Sequence, residues 1–168
     1  MKFTIRHRFP TDLDSYWSKV FFDPEYNRRL YQDALKFAGY ELVELRDTGG
    51  GAMTRTLKLE PGFDAPAVVK KLLGDRFGYT EVGNFDPRTR RWRYTVTPST
   101  LADKVTIKGD FWAEPRGEKE IERICDVVIE ARIFGVGGML ESYVEKETRQ
   151  TYERAAQFTH QFIREKGL

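Results

Sequence analysis

The sequence predicts an α+β fold in which helices lie on one side of an antiparallel sheet. Three observations support this prediction. About six segments in the middle of the chain alternate apolar and polar residues and are joined by short turns rich in Gly and Pro, which favours an antiparallel meander. A strand and two consecutive helices precede these segments. A long stretch with helical periodicity follows them, and helices segregated to one side of a sheet are typical of α+β proteins.

The first part of the chain supplies the opening strand and the two helices. Residues 1–9 alternate apolar and polar side chains, and Pro10 ends this strand. Thr11 followed by Asp14 resembles a capping box, which predicts the start of the first helix. Pro24 stands at the first position of the second helix, which we expect to run to about residue 37.

The middle of the chain has a period of two residues. The predicted strands share this alternation and end at turns, and they cover residues 40–46, 53–59, 79–85, 91–97, 105–113 and 125–133. A short helix is predicted at 65–73, beginning near Asp64. The segment "GVGG" at 135–138 predicts a tight turn into the last helix, which covers residues 138–166.

Composition limits the classes of function. A chain of 168 residues fits one domain over residues 1–168, and a net charge of +2 gives no reason to expect nucleic acid as a partner. The single cysteine, Cys125, excludes an intramolecular disulfide, and the first residues lack the apolar run of a signal peptide. We therefore expect a cytoplasmic protein. Two histidines and one cysteine at scattered positions predict no metal site and no cofactor.

The last helix has an uneven apolar stripe. One face of the helical wheel is bulky at both ends and small in the middle, and it carries Leu140, Val144, Thr151, Ala155, Phe158 and Phe162. A helix with this stripe can hold a sheet at two points and leave space between them. Glu147 flanks the stripe, where a carboxylate is seldom buried without a partner. Small residues also permit close packing, and Glu147 then lies at the rim or pairs with Arg55.

Two soft motifs extend this interpretation. The first is "FPTDLDSYWSKVFFDPEYNRRL", an aromatic-rich helix that ends in a short turn, and the second is "FGVGGMLESYV" before the last helix. With the strand meander between them, the whole chain resembles the START-like superfamily, also called SRPBCC or helix-grip, and in particular uncharacterised bacterial members of it. The resemblance implies a curved sheet wrapped around the C-terminal helix, with a hydrophobic, often lipid-like ligand held between them.

Inward-facing positions of the strands and the helix nominate the side chains of such a ligand site. The candidates share an apolar face, and they are His7, Arg55, Trp92, Tyr94, Phe111, Ala113, Val127, Ile129, Met139, Tyr143, Glu147, Thr151 and Ala155. Arg55 and His7 would receive a headgroup or a carboxylate, unless they lie at the rim or in local ion pairs.

Other functions stay open at this point. An enzyme of the same fold, such as a cyclase or hydrolase, requires that Glu147, His7 and Arg55 converge in the pocket. An interaction module for protein or RNA requires a filled core and an exposed binding face. The basic turn "DPRTRRWR" at 86–93 is a candidate for transient contact with a membrane surface. The sequence favours binding of a hydrophobic small molecule over catalysis.

Overall fold

One antiparallel sheet organises the molecule. The computed structural model of the chain describes residues 1–62, 65–74 and 76–168. In this part of the chain seven strands form a curved sheet in the order β1-β7-β6-β5-β4-β3-β2. The strands are β1 (Lys2–Phe9), β2 (Gly39–Gly49), β3 (Ala52–Glu60), β4 (Tyr79–Asp86), β5 (Arg91–Pro98), β6 (Val105–Pro115) and β7 (Ile121–Ala131). From β2 to β7 each strand pairs with the next one in sequence, and β1 pairs with β7.

Two short helices and one long helix lie where the sequence predicted them, with a further short helix between β3 and β4. Helix α1 covers Leu13–Ser15 and continues with wider π-type turns over Tyr16–Phe21, and α2 does the same over Pro24–Arg28 and Arg29–Ala34. Helix α3 is Ala67–Leu73 and α4 is Gly137–Lys166. The predicted order of elements is therefore confirmed, while the predicted start of α3 near Asp64 lies outside the described residues.

Aspartates, rather than Thr11, cap the two short helices. The side chain of Asp12 accepts a hydrogen bond from the backbone N–H of Ser15 at 2.8 Å, so the predicted Thr11 cap is wrong by one residue. Asp23 accepts from the N–H of Tyr26 at 2.7 Å, with Pro24 at the first helical position as expected. A carboxylate at the N-cap satisfies an N–H group of the first turn and offsets the positive end of the helix dipole.

The turn from β7 into α4 depends on close backbone packing. Gly135 has a φ of 78°, in the left-handed region that glycine adopts most readily. Gly137 begins α4 directly against the carbonyl oxygen of Ala131, and a Cβ at this position would overlap that oxygen. The "GVGG" segment thus forms the predicted turn, and it starts the last helix against the end of the last strand.

Helix α4 packs against the sheet at both ends. Leu140 is buried near its beginning, and Phe158, Phe162 and Ile163 are buried near its end. From Val144 to Tyr152 its side chains are half-buried or exposed. The side chains that pack on the core are fully buried at the two ends of the helix and only partly buried in its middle, as at Val144 and Tyr152, and this leaves a space between the sheet and the central turns.

Candidate functional site

A cavity of about 250 Å³ lies between the curved sheet and the middle of α4. This volume is just below the roughly 300–1,000 Å³ of most small-molecule sites. Rings of tyrosine, phenylalanine and tryptophan make up much of the wall. They come from α1, α2, the central strands and α4, and they include Tyr16, Phe21, Tyr26, Tyr31, Tyr79, Trp92, Tyr94, Phe111, Tyr143 and Tyr152.

Glycines in the sheet keep two of these rings out of the space. Gly83 of β4 lies under the indole of Trp92, and Gly109 of β6 lies under the phenol of Tyr94. A Cβ at either glycine would overlap the ring above it. Because glycine has no side chain, each ring can lie close to the backbone of the neighbouring strand, and this leaves space in the cavity.

Arg55 of β3 ties the sheet to the turn between α1 and α2. Its guanidinium is 5% exposed and donates to Oδ1 of Asn27 at 3.2 Å and to Oε1 of Glu81 at 3.2 Å. It also lies 4.7 Å from the ring centre of Phe21 and 5.0 Å from that of Trp92. Because a carboxylate already neutralises this cation, Arg55 chiefly positions the wall of the cavity.

Arg123 of β7 is a second buried arginine in the lining, with 5% of its surface exposed. A terminal guanidinium nitrogen donates to Nδ1 of His7 at 3.0 Å. The guanidinium carbon lies 4.8 Å from the ring centre of Phe9 and 5.4 Å from that of Tyr152. Within the described part of the chain, no carboxylate oxygen approaches it within 4.0 Å. The site therefore contains a buried cation whose neighbours are neutral.

Three weak acids form a cluster beside Arg123. The hydroxyl groups of Tyr94 and Tyr152 lie 3.1 Å apart, and the thiol of Cys125 lies 3.6 Å and 3.4 Å from them. Burial raises the pKa of Tyr94 and of Tyr152 well above its ordinary value, and it also raises the pKa of the Cys125 thiol. All three groups are therefore protonated at neutral pH and can donate hydrogen bonds.

A hydroxyl pair closes the wall near α2. Tyr26 and Thr159 are buried, and their side-chain oxygens lie 2.6 Å apart. Thr159 donates its own hydroxyl hydrogen to the carbonyl oxygen of Ala155 at 2.7 Å, so Tyr26 is the donor of the pair. This chain of bonds fixes the phenol of Tyr26 against the helix.

The structure brings most of the predicted site residues together. Those in the cavity wall are Arg55, Trp92, Tyr94, Phe111, Val127, Tyr143, Glu147, Thr151 and Ala155. Glu147 and Thr151 are half-buried on α4. The carboxylate partner of Arg55 is Glu81, so the alternative pairing of Arg55 with Glu147 is not formed.

Four predicted residues lie outside the cavity wall. Ala113 and Ile129 are buried in the apolar core, where neighbouring side chains occupy the space that we expected to be open. Met139 is 38% exposed because Leu140 faces the core, and one residue along a helix corresponds to a rotation of about 100°. The ring of His7 does not line the cavity; it forms hydrogen bonds with Arg123 and with Glu153 of α4. The convergence of Glu147, His7 and Arg55 that the enzyme hypothesis requires is therefore absent.

Sequence reasoning missed Arg123, although a signal for it was present. Strand β7 begins at Ile121, four residues before the predicted start, and its first five residues are all buried. Alternation traced back from Val127 through Cys125 places Arg123 on the inward face. A charged residue at an inward position was the signal. The helix side chains Thr148 and Tyr152, which also line the cavity, were not among the site candidates either.

Two absences concern the described residues. None of their helices combines the length and the apolar content needed to span a membrane. Nor do their His, Cys, Asp and Glu side chains form a group of three or more that could hold a metal ion.

Comparisons with known proteins agree with this geometry. Residues 4–163 match the profile of a family described as protein of unknown function, DUF2505, and no curated protein matches the chain. A START superfamily protein from Mycobacterium smegmatis is 13% identical with a TM-score of 0.61, and the match covers 98% of this chain and 97% of that one.

Two further solved structures have similar scores. The Zhui aromatase/cyclase from Streptomyces sp. R1128 is 13% identical with a TM-score of 0.67, covering 97% of this chain and 95% of that one. A protein of Thermus thermophilus is 15% identical with a TM-score of 0.66, covering 97% of both chains. Such likeness establishes the fold, and the START-like helix-grip fold predicted from the sequence is confirmed.

Proposed function

The chain belongs to the DUF2505 family, and we propose that it binds a compact hydrophobic small molecule in the cavity beneath α4, for storage or transport. The observation that carries the proposal is the space of about 250 Å³ enclosed chiefly by aromatic and aliphatic side chains. START-like neighbours of the same fold are consistent with a ligand-binding role. A filled core, which an interaction module of this fold requires, does not fit this space.

Apolar contact supplies the driving force for such binding. A ligand that hides about 200 Å² of apolar surface gains roughly 5 kcal/mol before the entropy cost of association. The protonated hydroxyl groups of Tyr94 and Tyr152 offer a few directed hydrogen bonds within the apolar wall. Apolar walls with a few placed polar groups are what a small-molecule site requires.

Binding accounts for the site better than catalysis does. One structural neighbour is an aromatase/cyclase, but a low-identity match extends to fold alone. In this chain His7 lies outside the cavity wall and Arg55 is neutralised by Glu81. Since Glu147, His7 and Arg55 do not converge in the cavity, a carrier or receptor is the simpler proposal.

Two further expectations belong to this proposal. A cytoplasmic location fits the single buried cysteine, since thiols stay reduced there. Transient contact with a membrane surface would use the turn between β4 and β5, where Arg88 is highly exposed. The positive charge of this turn is reduced by Asp14 and Asp110, which lie within 4.0 Å of its other arginines.

Native mass spectrometry of gently purified protein and a fluorescence titration test the proposal. The titration uses N-phenyl-1-naphthylamine, a neutral apolar dye, and follows the rise in the dye's own emission as it enters apolar surroundings. Thr151→Trp fills the middle of the cavity and should weaken dye binding by about tenfold or more, since the added ring competes for the same space. Gln150→Trp adds the same ring at an exposed position of α4 and should bind the dye as the wild type does.

The two variants make the outcome decisive. Equal dye affinity of Thr151→Trp and the wild type would show that the dye binds elsewhere. Absence of both a co-purified apolar molecule and dye binding would overturn the proposed function.

A further inference from the structure

We propose that the ligand of this cavity is an apolar carboxylic acid, and that the guanidinium of Arg123 receives its carboxylate. This inference rests on the proposed function and adds the chemical class of the ligand. It starts from a buried cation without a counter-ion in the wall of an otherwise apolar cavity.

The surroundings of Arg123 make its charge unusual. Arginine stays protonated in proteins, and a buried charge is costly unless an opposite charge or several hydrogen bonds compensate it. Arg123 is 5% exposed, and no carboxylate of the described residues lies within 4.0 Å of it. Its neutral neighbours are the imidazole of His7 and the hydroxyl of Tyr16. These two acceptors cannot satisfy five N–H groups.

Contacts with His7, Phe9 and Tyr152 hold the guanidinium of Arg123 in place. The hydrogen bond to His7 fixes one terminal nitrogen, and the rings of Phe9 and Tyr152 lie 4.8 Å and 5.4 Å from the guanidinium carbon. Beyond His7 and Tyr16, no hydrogen-bond acceptor among the described residues pairs with the remaining N–H groups of the guanidinium. Because Arg123 belongs to the cavity wall, these N–H groups are available to a bound molecule.

A carboxylate fits this arrangement best. Its two oxygens match the fork of a guanidinium, and such charge-assisted pairs are about twice as strong as neutral hydrogen bonds. The hydroxyl group of Tyr152 belongs to the cluster beside the cation and can donate to the same anion. The apolar rings of the wall then accept the body of the molecule.

The other charged groups of the wall favour the same position for the acid. Arg55 does not compete, because Glu81 is paired with it at 3.2 Å. Glu147 is half-buried and negative, so it repels an acid group placed beside it. Arg123 is therefore the cation in the described wall that lacks an ion-pair partner.

Matched probes test this assignment. 2-Naphthoic acid and its methyl ester share one apolar body, and their affinities are measured at pH 7.5 by competition with N-phenyl-1-naphthylamine. In the wild type the acid should bind about tenfold or more tightly than the ester, as expected for a charge-assisted pair in a buried site. Arg123→Gln should reduce the acid-to-ester affinity ratio to about one.

Two control variants accompany the test. Arg93→Gln removes an exposed arginine of β5 and should leave the ratio as in the wild type, since this side chain is 64% exposed and lies outside the cavity wall. Arg123→Lys keeps the charge but loses the two-pronged geometry, and it should give an intermediate ratio.

The outcomes separate the two proposals. If the wild type binds the ester as tightly as the acid, the carboxylate assignment fails while ligand binding stands, and this comparison does not depend on the folding of any variant. If Arg123→Gln still binds the acid more tightly than the ester, the carboxylate assignment also fails. If neither probe nor the dye binds, the proposed function itself fails.

Discussion

Nδ1 of His7 accepts a hydrogen bond from the guanidinium of Arg123 at 3.0 Å, and Nε2 of the same ring lies 3.1 Å from a carboxylate oxygen of Glu153. An imidazole that accepts at Nδ1 carries its proton on Nε2 and donates it to Glu153. The ring thus connects a buried cation to a solvent-exposed carboxylate on α4. This arrangement requires neutral His7.

Acid should therefore weaken the fold through His7. Burial and the positive charge of Arg123 lower the pKa of His7 below 6.5 in the folded protein. The unfolded chain then binds more protons, so the contribution of His7 is present above pH of about 6.5 and is lost as the pH falls towards the folded pKa. Chemical denaturation at pH 7.5 and 5.5 should show lower free energy of unfolding at pH 5.5.

His7→Asn isolates this contribution. Its side-chain oxygen can still accept from Arg123 but does not titrate, so the difference between the two pH values should be smaller than in the wild type. His160→Gln removes the other histidine and controls for histidine loss in general. Identical pH dependence of His7→Asn and the wild type would contradict the role assigned to His7.

Arg55 and Glu81 form an ion pair that holds the turn between α1 and α2 against the sheet. Arg55→Met should reduce the free energy of unfolding by about 3 kcal/mol. The carboxylate of Glu81, which is only 14% exposed, would then lack its ion-pair partner. The double variant Arg55→Met/Glu81→Leu should be more stable than Arg55→Met alone. A double variant as unstable as the sum of both single changes would show that the pair itself contributes little.

Sequence periodicity predicted the fold well because strands and helices in this chain have clear repeats and end at Gly or Pro. The cavity was predicted from the small middle of α4, where Thr151 and Ala155 line it. Its polar groups were harder to predict, since pairing decides their role. The sequence left open whether Arg55 receives a ligand or forms a local ion pair. In the structure Glu81 lies opposite Leu57, two residues along β3 from Arg55, and forms an ion pair with it. Such partners depend on register across strands, which periodicity does not reveal.

The two glycines at the start of α4 provide a matched test of the turn. Gly137→Ala should destabilise the protein by about 1–3 kcal/mol, because its Cβ would overlap the carbonyl oxygen of Ala131. Gly138 has no atom within 4 Å of an added Cβ, so Gly138→Ala should stabilise the helix by about 0.5–1 kcal/mol. Thermal unfolding followed by circular dichroism measures both. Equal effects of the two changes would contradict the close packing at Gly137.

Gly83 offers a way to close the cavity from the sheet side. Its Cβ in Gly83→Ala would overlap the indole of Trp92, so we expect the ring to move away from the sheet, towards the cavity that it lines. We expect a loss of about 1–3 kcal/mol in unfolding free energy and weaker binding of N-phenyl-1-naphthylamine. In a Trp92→Leu background the smaller side chain leaves room for the added Cβ. The Gly83→Ala change should therefore reduce the unfolding free energy by less. If Gly83→Ala is equally harmful in both backgrounds, strand propensity rather than the ring explains the glycine, since glycine in a strand is otherwise unfavourable.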